Sequence, residues 1–178
     1  ITNKLKIRDT KIEKTGTAEI TVSSAEGDSY LAKTATCTVT VIRPITSVTL
    51  NKNYAELEIG NTLSLYPTIE PYDTTDSKEV TWTSSDESVA SVDQNGKVTA
   101  IKVGTATITV ETVNGKTDTC TIKVIKPIIS VLLDRMNVKL AKGDSFQLNA
   151  TIYPFDTTDS KVLTWTSGNS KVASVDQN

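Results

Sequence analysis

Apolar and polar residues alternate in short runs along this chain: Val48 and Leu50; Leu63, Leu65 and Ile69; Val80 and Trp82; Ala106, Ile108 and Val110; Cys120, Ile122 and Val124. A period of two sends successive side chains to opposite faces of a strand, so each run predicts a half-buried β-strand. Threonine and serine fill the alternate positions, as in Thr105 to Val110, where a β-branched polar residue suits the solvent face of a sheet. No window carries an apolar stripe at helical spacing. The breaks hold turn chemistry. Asn95-Gly96 and Asn114-Gly115 offer the positive φ that tight hairpins need, and Pro67 and Pro71 end the run that starts at Leu63.

The pattern repeats. Pro127 follows Pro44 by 83 residues, and at that offset the segment from Ile45 to Asn95 returns as Ile128 to Asn178. Pro71-Tyr72-Asp73-Thr74-Thr75-Asp76-Ser77-Lys78 becomes Pro154-Phe155-Asp156-Thr157-Thr158-Asp159-Ser160-Lys161, and Val89 to Asn95 recurs unchanged as Val172 to Asn178. Upstream, the stretch around Cys37 matches that around Cys120 at the same offset. The chain therefore reads as residues 1–44, the later part of a divergent repeat; 45–127, a complete repeat; and 128–178, the earlier part of a further one. A repeat of about eighty residues can close its own core, and seven or so short strands in it predict an all-β, two-sheet antiparallel sandwich. Trp82, echoed by Trp165, is the large aromatic of a mid-repeat strand and is expected to pack across the two sheets.

Composition narrows the function classes. The chain has 178 residues, 37% hydrophobic and 5% aromatic, and no apolar run of the length a membrane span needs. A net charge of −2 argues against nucleic-acid binding, which needs a concentrated basic face. The cluster Lys4, Lys6, Arg8, Lys11 and Lys14 is diluted by Asp9 and Glu13 and reads as a solvated strand face. Cys37 and Cys120 sit at equivalent positions of successive repeats, which keeps them from disulfide distance, and each reads as a small buried hydrophobe. The chain has no histidine, the commonest partner of a catalytic or metal-binding thiol. No nucleophile–base pair or phosphate-binding glycine loop is present, so no catalytic or cofactor-binding residue is assigned and no enzyme activity is expected.

Leu57-Glu58-Ile59-Gly60, Leu63-Ser64-Leu65, Val80-Thr81-Trp82-Thr83-Ser84-Ser85-Asp86, Ser88-Val89-Ala90-Ser91-Val92-Asp93, Gly96-Lys97-Val98-Thr99 and Gly104-Thr105-Ala106-Thr107-Ile108-Thr109-Val110 resemble the bacterial immunoglobulin-like group 2 domain. Residues 128–178 keep Leu163-Thr164-Trp165-Thr166-Ser167 and Val172-Ala173-Ser174-Val175-Asp176 of this string and lack its Gly-Lys-Val-Thr and Gly-Thr-Ala-Thr half. Residues 1–44 keep Gly16-Thr17-Ala18-Glu19-Ile20-Thr21-Val22, with a longer loop expected within Ser23 to Lys33, and Ile1 to Lys11 match weakly or not at all. The resemblance implies tandem immunoglobulin-like antiparallel β-sandwiches with a structural or adhesive role: a stalk segment of a bacterial surface protein. The alternatives are a phage capsid or tail module binding cell-surface carbohydrate, and a carbohydrate-binding accessory of an enzyme. The location it implies is extracellular, on the cell surface or in a virion. The partners are neighbouring repeats of the same or an adjacent chain, with host proteins or cell-surface carbohydrate as candidate ligands, and without membrane insertion. Fold alone assigns no chemistry.

One polar constellation recurs: Asp73 and Asp76, then Asp156 and Asp159, in hydroxyl-rich loops. These four are the candidate calcium ligands. Calcium takes six or more oxygens, and the loop lacks the dense carboxylate spacing of a calcium loop. Asp and Thr also stabilise turns by bonding their own backbone, the competing reading that the spacing favours. The junctions Val41-Ile42-Arg43-Pro44-Ile45 and Val124-Ile125-Lys126-Pro127-Ile128 carry no glycine or serine spacer, and proline limits rotation, so a semi-rigid array is expected. The partial repeats at the two ends are expected to reflect a longer parent protein. The rival expectation is that they complete each other between chains by strand complementation, giving a filament.

Overall fold

The computed structural model describes residues 14–24 and 33–177, and among them there are strands and no helix. β1 (Gly16–Ser23) and β2 (Thr34–Val41) form an antiparallel ladder with Ile20 opposite Cys37. β3 (Ser47–Leu50) pairs with β6 (Pro67–Glu70), Val48 facing Ile69. β4 (Tyr54–Glu58), β7 (Val80–Ser84), β10 (Gly104–Thr112) and β11 (Thr117–Ile125) build a sheet in the order β4-β11-β10-β7. β5 (Thr62–Ser64), β8 (Ala90–Val92) and β9 (Lys97–Ala100) form another, in the order β5-β9-β8. β12 (Ser130–Leu133) and β13 (Ala150–Tyr153) pair antiparallel.

The alternation places the strands as expected, with two local differences. Pro67 does not end a strand but opens β6, opposite Leu50; a first strand position tolerates proline because no ladder hydrogen bond is lost there. Leu65 lies outside any strand, yet its side chain is fully buried and its N–H donates to the Gly96 carbonyl at 2.9 Å. The ladders β1–β2, β3–β6, β5–β9, β8–β9 and β12–β13 are antiparallel, whereas β4 and β11 run parallel, with Leu57 beside Val124 and Ala55 beside Ile122. In both Asn-Gly turns the loop has three residues. Thr112 N–H donates to Lys116 O and Gly115 N–H to Thr112 O, each at 2.9 Å, while Asp93 and Gly96 make the same pair of bonds around Asn95. The φ values of +78° at Gly115 and +76° at Gly96 are those of the left-handed residue that closes such a loop.

Contacts divide the chain into two compact units, and the division runs through the central repeat. The first extends to Asn51 and includes Tyr66–Trp82 and Thr109–Thr119; the second comprises Lys52–Leu65, Thr83–Ile108 and Cys120–Asn178. Ile45, Val48, Trp82 and Val110 are buried in the first, with Trp82 4% exposed, the buried position expected of it. Leu65, Val89, Ala90, Val98, Ala100, Ala106, Ile108, Cys120, Ile122 and Val124 are buried in the second. Trp165 is half-buried, and the Gln177 side chain holds its backbone, accepting from the N–H at 3.0 Å and donating to the carbonyl at 2.6 Å.

The cysteine expectation holds for one residue of two. Cys120 is fully buried, whereas Cys37 is exposed, because no described residue covers the face of the β1–β2 ladder on which it lies. Lys4, Lys6, Arg8 and Lys11, the weakly matching stretch Ile1 to Lys11, and most of the longer loop expected within Ser23 to Lys33 lie outside the described residues.

Candidate functional site

The segment entering the central repeat, Arg43-Pro44-Ile45, has only two backbone donors, because proline has none. Both are satisfied by the loop that follows β6. Arg43 N–H donates to Thr75 Oγ1 and Ile45 N–H to Asp76 Oδ2, each at 2.9 Å. The Arg43 carbonyl accepts from the Thr75 N–H at 2.8 Å and from Thr74 Oγ1 at 2.9 Å. Arg43 Nη1 reaches Asp73 Oδ2 at 2.6 Å, so the guanidinium and the backbone of one residue are bound by one loop. The loop is itself braced: Thr74 N–H donates to the Pro71 carbonyl at 3.0 Å, and Asp76 N–H to Thr74 Oγ1 at 3.1 Å. The Glu70–Pro71 peptide is cis. A third element joins from the β10–β11 turn, where Asn114 Nδ2 donates to the Ile45 carbonyl at 2.8 Å and to Asp76 Oδ2 at 3.1 Å.

The same clamp recurs within the second unit. Lys126 N–H donates to Thr158 Oγ1 at 2.9 Å, the Lys126 carbonyl accepts from Thr158 N–H and Thr157 Oγ1 at 2.8 Å each, and Ile128 N–H donates to Asp159 Oδ2 at 2.8 Å. Lys126 Nζ contacts both oxygens of Asp156 at 2.8 Å. One residue upstream, the Ile125 carbonyl accepts the Ile59 N–H at 3.2 Å, as the last bond of the β4 side. The strand of one repeat thus ends on the residue before the one that the next repeat grips, and no slack residue separates the two. The lysine hydrogen bonds hold the Asp156 carboxyl below its ordinary range, against a smaller opposing push from desolvation.

All four predicted aspartates therefore lie in clamps, with Asp73 and Asp156 on the basic side chain and Asp76 and Asp159 on the isoleucine N–H. The turn chemistry expected of the loop is present, and its main acceptors and donors serve a segment about thirty residues upstream. Among the described residues there is no cluster of three metal-ligating side chains. Arg43, Lys126 and Asn114 were not singled out for this role by their sequence context. The available signal was the joint return, at one offset, of a basic residue before proline and of the Asp-Thr-Thr-Asp loop.

A second polar group lies across the parallel pair of strands. Glu56 Oε1 accepts from Tyr54 Oη at 2.6 Å and Lys123 Nζ at 2.9 Å. The Tyr54 hydroxyl first, then Lys123, holds the Glu56 carboxyl below its usual range, and Glu56 in turn raises Lys123. Both partners of the ion pair are about half exposed, so it orients the surface of this ladder more than it stabilises the fold.

Residues 44–124 and 128–178 match the bacterial Ig-like domain (group 2) family. The chain belongs to this family. A protein of Clostridium acetobutylicum is 41% identical over 133 residues, 74% of this chain, and this chain spans 14% of its length. An Ig-like virion protein of Serratia phage KSP90 is 34% identical over 74% of this chain and 52% of its own. A 3-O-alpha-D-galactosyl-alpha-L-arabinofuranosidase of Bifidobacterium longum is 51% identical over 59 residues, 33% of this chain and 5% of the enzyme. Among solved structures, domains 4 and 5 of the S-layer protein SbsC align with a TM-score of 0.42 at 20% identity, covering 63% of this chain and 59% of that one. The group 2 modules here are all-β, immunoglobulin-like and in tandem. Among the described residues no helix is long and apolar enough to cross a membrane.

Proposed function

We propose that this chain is a non-catalytic, structural segment of a bacterial surface protein: consecutive group 2 modules, bounded at residues 44/45 and 127/128, joined semi-rigidly so that they project or present whatever ligand-binding parts the parent protein carries. The observation behind this reading is the linker clamp. Every backbone donor in Arg43-Pro44-Ile45 and in Lys126-Pro127-Ile128 is bound by the module that follows. A flexible tether has no use for such bonding, since each fixed residue costs conformational entropy. The absence of a catalytic constellation in the sequence and the family membership support a non-enzymatic role.

The phage relative supports a second reading, in which the modules belong to a virion and meet the cell surface from outside. Host proteins and cell-surface carbohydrate are the ligand classes that either location makes available. An antibody raised against the chain separates the two. Labelling of intact source cells is the expected result, and labelling confined to released phage particles favours the virion. Signal only after permeabilisation, with released particles also unlabelled, contradicts both.

A further inference from the structure

Ile45 is 2% exposed, and both of its backbone polar groups are bound by side chains: its N–H by Asp76 and its carbonyl by Asn114. Asn114 also donates to the Asp76 oxygen that receives Ile45 N–H, so one amide nitrogen touches both halves of the grip. The amide is aimed by its own turn. Its Oδ1 accepts from Thr112 Oγ1 at 2.8 Å, and Thr112, 3% exposed, accepts in turn from the Lys116 N–H at 3.0 Å. The bonds form one relay, from the closed β10–β11 turn through Thr112 and Asn114 to Asp76 and the linker. Ile45 and Thr112 at the two ends of the relay are buried while Asn114 between them is exposed. Linked hydrogen bonds reinforce one another, and losing Asn114 leaves the buried Ile45 carbonyl without its donor.

We propose that Asn114 is a lock that fixes the linker upstream of its module only while the β10–β11 hairpin is closed, so that opening the hairpin frees the linker at Ile45. Asn114 acts as a positioning residue, directly on the Ile45 carbonyl and through Asp76 on its N–H. The chain contains its own reference: Ile128 N–H is held by Asp159 in the same way, but among the described residues no asparagine amide covers it, and Ile128 is only half-buried. The lock deepens the reading of the chain as a structural array and rests on it for biological meaning, while its test is independent of where the protein resides.

The test is amide hydrogen exchange, read by NMR on the full 178-residue chain. Asn114→Ala should speed exchange at Ile45 by roughly tenfold, the scale of one charge-assisted hydrogen bond, and leave Ile128 unchanged. Unchanged exchange at Ile45, or equal acceleration at both isoleucines, overturns the lock. If the Lys116 amide shows that alanine has loosened the turn itself, Asn114→Asp decides. Aspartate suits the turn but sets a carboxylate against Asp76 and gives the Ile45 carbonyl no donor, so Ile45 must still lose protection; retained protection overturns the proposal. A failure of cell-surface labelling would bear on the proposed function alone.

Discussion

The Asp76 carboxylate accepts the Ile45 N–H at 2.9 Å across 31 positions of sequence, and Asp159 repeats the bond to Ile128 at 2.8 Å. A residue read locally as turn chemistry thus acts mainly at a distance. Ile45 cannot turn its N–H to water without leaving the core, so the carboxylate is what permits a buried side chain immediately after Pro44.

Replacing Asp76 by alanine leaves that donor unpaired and should lower stability by about 1–3 kcal/mol. Asp73→Ala removes an ion pair whose side chains are 53% and 43% exposed and should cost under about 1 kcal/mol, less still at high salt. Urea midpoints of the two variants provide the check. Equal losses would mean that the ion pair, not the bond to the linker N–H, holds the segment.

The second clamp should respond to acid. Asp156 titrates below its ordinary range in the folded chain, so its contribution is complete above the unfolded carboxylate value and is lost as pH falls through the lowered one. Side-chain carboxyl shifts followed by NMR should show the depressed titration, and Lys126→Met should return it toward the ordinary value.

Much of the fold was legible because burial follows the alternation: Ala106, Ile108 and Val110, and Cys120, Ile122 and Val124, are all within 1% of complete burial. The parallel pairing of β4 with β11 was not legible, since Tyr54-Ala55-Glu56-Leu57-Glu58 alternates equally well in either direction. Cys37 was misread because periodicity says which side of a strand a residue faces, not whether another layer covers that side. The clamp was half-visible: the loop stood out, but partners thirty residues away leave no mark in local spacing.

Gly104 should not tolerate a side chain. Its φ of +154° is a conformation that other residues rarely adopt, and a Cβ would lie 2.9 Å from Val89 Cγ2. Gly104→Ala is expected to destabilise the chain by about 1–3 kcal/mol, measured by urea unfolding. Gly60→Ala, whose Cβ would meet nothing within 4 Å, isolates the backbone contribution and should cost less.

The two thiols should differ in reactivity. Cys37 is exposed and should react with a thiol reagent in native buffer, while fully buried Cys120 should react only on unfolding. Mass spectrometry of single- and double-labelled chain across a urea series reads both events. Simultaneous labelling in buffer would contradict the core assignment of β11.

A semi-rigid array requires that the linkers be held. Backbone ¹⁵N relaxation at Arg43, Ile45, Lys126 and Ile128 measures this directly. The clamps predict order parameters near those of the strands, about 0.85, at all four amides. Values below about 0.6, those of a flexible tether, would contradict the clamp and the semi-rigid array built on it.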